Sequence, residues 1–419
     1  MDILQLASLL IVLAAAFGAV NYLFLKLPSA IGILIVALAA SFGILALDAA
    51  LPDLAVAASV RDVVLGIDFS ESLLEGMLGL LLFAGALHVK VADLKREWVL
   101  VLLMATLGVG LSTAIAGLGF HWMTGAPILV ALVFGALISP TDPVAVLGVL
   151  RAASLPKSLE TKIAGESLFN DGVGYVVFLV LVGLAFPGGG DHAGAHDSPL
   201  GEAALLFAQE AFGGAILGGV LGWLAFRLMR RIDDPPLEVL ITLALAFGGY
   251  QLAVWLHVSA PIMAVVAGLL IGDVGARYGM SEDTRAHVDT FWTLVDEILN
   301  AVLFLLIGVE VFAVTFEASL LLMGLGAIGL HLLARFAAVV VPVLLLRPFK
   351  GFESGITRIM TWGGLKGGIS VALVLALPDS EWKPVMLACT YVVVLFSIIV
   401  QGLSVGRLAT RLGGEPELM

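Results

Sequence analysis

Apolar stretches long enough to cross a membrane recur from Ile3 almost to the C-terminus, separated by short polar turns. A hydrocarbon core ~30 Å thick needs about 20 apolar residues per helical crossing. With 60% hydrophobic and only 13% charged residues and a mean hydropathy of +1.10, the chain reads as an all-α polytopic membrane protein embedded in the lipid bilayer. The first stretch, 3–25, lacks the basic flank and small-residue cleavage site of a signal peptide, so it is expected to stay as a helix. A single cysteine, Cys389, excludes an intrachain disulfide. The net charge of −12 resides mostly in loops and implies no nucleic-acid partner.

Spans are expected near 3–25, 30–47, 70–88, 98–118, 126–150, 160–186, 201–226, 237–255, 260–272, 289–312, 318–346, 356–377 and 384–406, thirteen in all. The stretch Asp48 to Asp68 is ambiguous, being apolar but interrupted. This count places 17 of the 21 basic residues on one side, with only Arg61 and Lys383 on the other and Arg335 and Lys366 inside spans. Cytoplasmic loops hold the excess of Lys and Arg. The N-terminus is therefore expected outside and the C-terminus in the cytoplasm of a multi-pass cell (inner) membrane protein.

An odd count also allows two inverted six-helix repeats, about 1–187 and about 235–411, joined by a linking helix at about 200–230. In that scheme the fifth span, carrying Ser139 to Val146 (SPTDPVAV), corresponds to the twelfth, carrying Gly363 to Ser370 (GGLKGGIS). Glycine or proline interruptions at matching positions in two halves mark the midplane binding site of transporters, where broken helices cross. Glycines also serve plain close packing of helices, but each of these two segments carries a charge as well.

Asp142, Asp171, Arg335 and Lys366 fall near the middle of their spans, within about 6 Å of the midplane at ~1.5 Å per helical residue, and Glu166 lies about one turn to the cytoplasmic side of Asp171. A carboxylate at the bilayer centre costs about 2.5 to 3.5 kcal/mol even on permissive scales, so three of them at one level point to an ion or proton path. Half-helix ends produced by a break are charged, and Asp142 and Lys366 can neutralise them. Arg335 then needs a partner, for which Glu166 is the candidate in a structural pair. Asp171 is the carboxylate left over. A dehydrated Na+ wants hard oxygen ligands, which Asp171, Ser167, Asn170 and the carbonyl or hydroxyl of Thr141 can supply; Asn170 and Ser167 fit interhelical hydrogen bonding equally well. Proton and cation would compete for the one carboxylate, giving exchange with no further coupling device.

These segments resemble the cation/proton antiporters, in particular the prokaryotic Na+/H+ antiporters of the NhaP type and the eukaryotic sodium/proton exchangers. The matching residues are Ser139 to Val146, Gly165 to Asp171 (GESLFND), Ala334-Arg335-Phe336, Trp362 to Ala372 (WGGLKGGISVA), and, in the tenth span, Asp296, Glu297, Asn300 and Phe304 to Glu310 (FLLIGVE). The similarity spans essentially the whole chain. It implies thirteen helices, a core of spans four to six and eleven to thirteen, a homodimer held by much of the rest, and alternating access by movement of the core. It also implies ion binding at Asp171 with Ser167 and Thr141, dipole compensation by Asp142 and Lys366, a Glu166 to Arg335 pair, and no cofactor beyond the transported Na+ (with Li+ or K+ as alternatives) and H+. Relatives with Asn-Asp in the sixth span, as here at Asn170-Asp171, are associated with electroneutral one-for-one exchange. Two departures stand out: Leu82-Phe83-Ala84-Gly85 where many relatives place a Glu after Leu-Phe, with Glu75 about 13 Å away along a helix, and Lys366 where Arg is usual.

Asp296 and Glu297 are candidates for a cytoplasmic funnel that concentrates cations, or for a hydrogen-bonded structural role with Asn300. The loop Gly188 to Ser198 reads as Gly-rich and solvated, although His192 and His196 between Asp191 and Asp197 are of metal-binding or pH-sensing type. His331 reads as an interhelical histidine one turn before Arg335. A channel filter of repeated carbonyls or acidic rings does not recur, nor does a nucleophile or metal triad at one level, so an antiporter and not an enzyme is expected. K+/H+ exchange is the alternative, and a cation channel is the more distant one. A single transmembrane domain without a soluble regulatory domain is expected.

Overall fold

The computed structural model describes residues 3–51, 60, 77–142, 157–186, 199–312, 317–352 and 355–412, and among these it is helical throughout, without strands. The helices are α1 (Ile3–Val20), α2 (Ser29–Ala50), α3 (Leu78–Leu87), α4 (Val91–Thr124), α5 (Ile128–Leu137), α6 (Lys157–Ala185) and α7 (Pro199–Met229). They continue with α8 (Pro235–Trp255), α9 (Ala260–Tyr278), α10 (Glu282–Val309), α11 (Ala318–Leu346), α12 (Ile356–Trp362), α13 (Gly368–Leu375) and α14 (Lys383–Leu412). Among the described residues, nine helices are long and apolar enough to cross a membrane, and α3 and α5 are shorter apolar helices.

Several helices overrun the apolar stretches from which they are expected. α4 starts seven residues before the span near 98, and α10 starts at Glu282 instead of near 289. Hydropathy marks the hydrocarbon-facing part of a helix, whereas its ends are set by capping. Ser281 accepts from the Thr284 amide at 3.3 Å to begin α10, and Asp234 accepts from the Leu237 amide at 3.0 Å to begin α8, with Pro235 at the first helical position. α4 closes on Gly125, whose φ of 77° is left-handed. The third and fifth expected spans are described only from Met77 onward and up to Asp142, so the count of thirteen rests in part on residues outside those described. Of the ambiguous stretch, α2 takes in residues as far as Ala50. Glu75 and the loop with His192 and His196 also lie outside the described residues.

Three apolar clusters hold the helices together. One joins α2, α10, α11, α12 and α14 around Ile31, Phe304, Met360 and Tyr391. A second joins α3, α8, α9 and the first half of α10 around Phe83, Met263 and Trp292, and a third joins α4, α5, α11, α13 and α14 around Phe120, Phe134 and Leu373. Lipid tails are as apolar as these side chains, so their contribution is close packing and not removal from water. α4, α9 and α14 each carry a π turn, at Met104–Gly108, Ile271–Gly275 and Phe396–Gln401. Such insertions recur at functional sites because they free backbone groups and re-aim side chains.

Candidate functional site

Two non-helical stretches, one after α5 and one between α12 and α13, meet. α5 stops at Leu137, just before Pro140, which has no N–H to give a helix. Between α12 and α13 the chain leaves the helix after Gly363, whose amide still donates to the Ile359 carbonyl at 2.7 Å, and runs Gly364-Leu365-Lys366-Gly367 outside helix. The Asp142 amide donates to the Leu365 carbonyl at 2.8 Å, a single rung joining the two segments. Lys366, 1% exposed, donates from Nζ to the Ser139 carbonyl at 2.7 Å and the Pro140 carbonyl at 2.8 Å, the oxygens that trail the end of α5. In return the Asp142 carboxylate lies against the backbone of Gly367, where any side chain would collide with it, at the first turn of α13. A cation at a helix C-terminus and an anion at an N-terminus are the favourable pairings with the helix dipole. Each charge therefore serves the end of the other's broken helix.

Beside this crossing, α6 and α11 are clamped by a buried pair. Arg335 donates from Nη1 to Glu166 Oε1 and from Nη2 to Glu166 Oε2 at 2.8 Å, in the two-pronged geometry that suits guanidinium and carboxylate. Its Nη2 also donates to the Met360 carbonyl at 2.9 Å, in the last turn of α12. Arg335 is 5% exposed and Glu166 2%. The Arg335 guanidinium occupies the place that a side chain on Gly364 would take, so the glycine there is a matter of space.

Asp171 faces the crossing from α6. It is 5% exposed, and among the described residues its Oδ1 has no hydrogen-bond partner. The groups that act on it are Asp142, Lys366 and the Thr141 backbone. Thr141 is fixed by α6 from three directions: its amide donates to Asn170 Oδ1 at 3.2 Å, its Oγ1 accepts from Asn170 Nδ2 at 2.8 Å, and Oγ1 pairs with Ser167 Oγ at 2.9 Å. Asn170 thus spends both ends of its amide on Thr141. The Thr141 backbone acts on Asp171, and the paired hydroxyls of Thr141 and Ser167 are hard oxygens of the kind that suits a monovalent cation.

Asp296, Glu297 and Ala84 stand apart from this cluster, whereas His331 borders it. Leu303 of α10 packs on Gly368, and Asp296 and Glu297 lie about two turns earlier, roughly 10 Å along the helix. Asp296 is half-buried and accepts from Asn300 Nδ2 at 3.0 Å, while Glu297 is exposed. His331 is buried one turn before Arg335, facing the charges of Arg335 and Lys366 and the side chain of Gln401. Ala84 is fully buried in the α3 packing. Two residues not singled out in the sequence enter the site: Ser397 and Gln401 of α14, both with 0% exposure, bond the backbone around the second break. Their signal was present as two polar residues four apart in an apolar span.

Comparison with known proteins adds three findings. A family model described as "Sodium/hydrogen exchanger, transmembrane" matches residues 9–411. The chain is similar to the Na(+)/H(+) antiporter NhaP of Pseudomonas aeruginosa, 45% identical over 427 residues that cover 99% of this chain and 98% of that protein. It is also similar to the Na(+)/H(+) antiporter NhaH of Halobacillus dabanensis, 35% identical over 353 residues covering 82% and 84%. Among solved structures, the sodium proton antiporter MjNhaP1 from Methanocaldococcus jannaschii superposes with a TM-score of 0.76 at 19% identity, over 98% of this chain and 99% of that one. At that identity the likeness is one of fold.

Proposed function

The chain belongs to the sodium/hydrogen exchanger family, and on that premise we propose that it exchanges Na+ for H+ across the bacterial inner membrane, one for one, by competition at Asp171. The observation that carries this reading is the Asp171 carboxylate itself: buried near the meeting of the segment after α5 with the segment between α12 and α13, with an oxygen that no described residue engages. In one half of the cycle it holds the cation, with Thr141 and Ser167 as further oxygen ligands; in the other it holds the proton. Asn170 fixes Thr141 in place for this task. Asp142 and Lys366 neutralise the ends of the broken helices, and Glu166 with Arg335 secures α6 to α11.

A single carboxylate that carries either Na+ or H+ moves no net charge per cycle, which is the basis for the electroneutral stoichiometry. The hydrogen bonds that join residues 139–142, α6, α11, α12, α13 and α14 favour their moving as one core against the other helices, with the cation exposed alternately to each side. The 17 basic residues on one face of a thirteen-span arrangement favour an outer N-terminus and a cytoplasmic C-terminus. Two inverted repeats, about 1–187 and 235–411, flank α7 in this arrangement, and two copies of the chain pair through helices outside the core. The test is Na+-driven proton flux in liposomes holding the purified protein, with Li+ and K+ as parallel arms; flux driven by K+ alone would replace Na+ by K+ as the substrate.

A further inference from the structure

A break in a helix orphans backbone groups on both sides of it, and in the membrane interior these must be met by the protein. Around the second break α14 meets them. Gln401 donates from Nε2 to the Trp362 carbonyl at 3.0 Å, on the near side, and Ser397 accepts from the Lys366 amide at 2.8 Å, in the extended segment itself. The Trp362 indole donates to Ser404 Oγ at 2.8 Å and meets the Phe396 ring edge-on at 6.3 Å. Ser397 and Gln401 belong to the π turn Phe396–Gln401, which widens the helix at the point where their side chains leave it.

We propose that Ser397 and Gln401 are positioning residues for exchange, holding the Lys366 segment in the one conformation that shapes the cation site. The path is short. The bond from the Lys366 amide to Ser397 fixes the backbone from which the Lys366 ammonium reaches Ser139 and Pro140, and the neighbouring Leu365 carbonyl receives the Asp142 amide. Residue 142 adjoins Thr141, whose hydroxyl pairs with Ser167 and whose backbone acts on Asp171. A loosened Lys366 segment therefore displaces oxygen ligands on the opposite strand without touching the ion. Ser404 provides the internal contrast, since it holds the Trp362 ring and not the backbone of the break.

This inference rests on the reading of Asp171 as the exchange site, and the experiment separates the two. Ser397→Ala and Gln401→Ala, reconstituted in liposomes, are expected to raise the apparent KM for Na+ about fivefold, the equivalent of one neutral hydrogen bond, and to displace the pH profile of exchange. Maximal rate is expected to change less than KM, and Ser397→Thr, which restores a hydroxyl, to recover the wild-type profile. Ser404→Ala is expected to keep both KM and profile. Wild-type KM and pH profile in Ser397→Ala and Gln401→Ala would overturn the positioning role, as would a profile that Ser397→Thr leaves unrecovered. Exchange surviving in Asp171→Asn would instead overturn the site reading on which it rests.

Discussion

Arg335 grips both oxygens of Glu166 and, with the same guanidinium, the last-turn carbonyl of α12 at Met360. One side chain thus joins three helices beside the non-helical segments that follow α5 and α12. Removing it strands a buried carboxylate and an orphan carbonyl together. Arg335→Ala is expected to cost about 3 to 5 kcal/mol, read as a lowered melting temperature in detergent. Glu166→Gln with Arg335→Gln is expected to recover only part of this, because the Met360 carbonyl loses its charged donor in either case. Unchanged melting in the single variants would remove the pair from the account of stability.

Asp171→Asn is expected to abolish Na+-driven proton flux while leaving elution and melting near wild type. Asparagine keeps the shape and one oxygen, yet can neither take up a proton nor balance the ion. In the wild-type protein, a proton that displaces one cation predicts a cation affinity that falls about tenfold per pH unit below the pKa of the site and levels off above it. The sign follows from charge, since the protonated acid has nothing to offer a cation. A cation affinity independent of pH throughout would contradict competition at one carboxylate.

Thr141→Val removes the hydroxyl that joins Ser167 and Asn170 while preserving shape. Its Na+ affinity is expected to fall about tenfold, and that of Thr141→Ser within about twofold of wild type, given the size of a single lost hydrogen bond to a charged site. Isothermal titration with Na+ or Li+ on purified protein reads both.

Gly367→Ala places a methyl group where the Asp142 carboxylate sits. Either α13 or Asp142 must shift, at about 1 to 3 kcal/mol of overpacking, and the expected outcome is a less stable protein without exchange. Gly329→Ala on α11, where open space surrounds the backbone, is the control expected to behave as wild type.

Topology has its own test. In a Cys389→Ala background, cysteines at Gly190 and Arg231 are expected to react with an impermeant thiol reagent from opposite sides of the membrane. Labelling of both from one side would sink the thirteen-span arrangement.

The breaks were legible because proline and glycine leave a plain mark: Pro140 beside Asp142, and four glycines around Lys366. The charges were legible because an ionisable residue in an apolar span is costly enough to need a reason. What could not be read was direction. That Lys366 turns to the carbonyls after α5 while Asp142 turns to the start of α13 depends on which way each strand crosses, and no spacing in the chain encodes it. Asn170 shows the same limit, since an amide beside an acid serves ligation or bracing equally until Thr141 is placed on it. The Met360 carbonyl was invisible because backbone acceptors carry no residue type. Helix ends such as Glu282 were missed because hydropathy reports the lipid and capping reports the helix.

The partners at the crossing lie far apart in the chain: 169 residues separate Glu166 from Arg335, and 227 separate Ser139 from Lys366. At roughly 5 to 20 residues per second of synthesis, α6 leaves the ribosome about ten to thirty seconds before the arginine that will clamp it. Through that interval the nascent chain holds Asp142, Glu166 and Asp171 with neither cation yet made. Passage of this protein into the membrane is thus a matter of waiting, and whatever insertion machinery receives its first six helices must shelter three acids until the last four arrive.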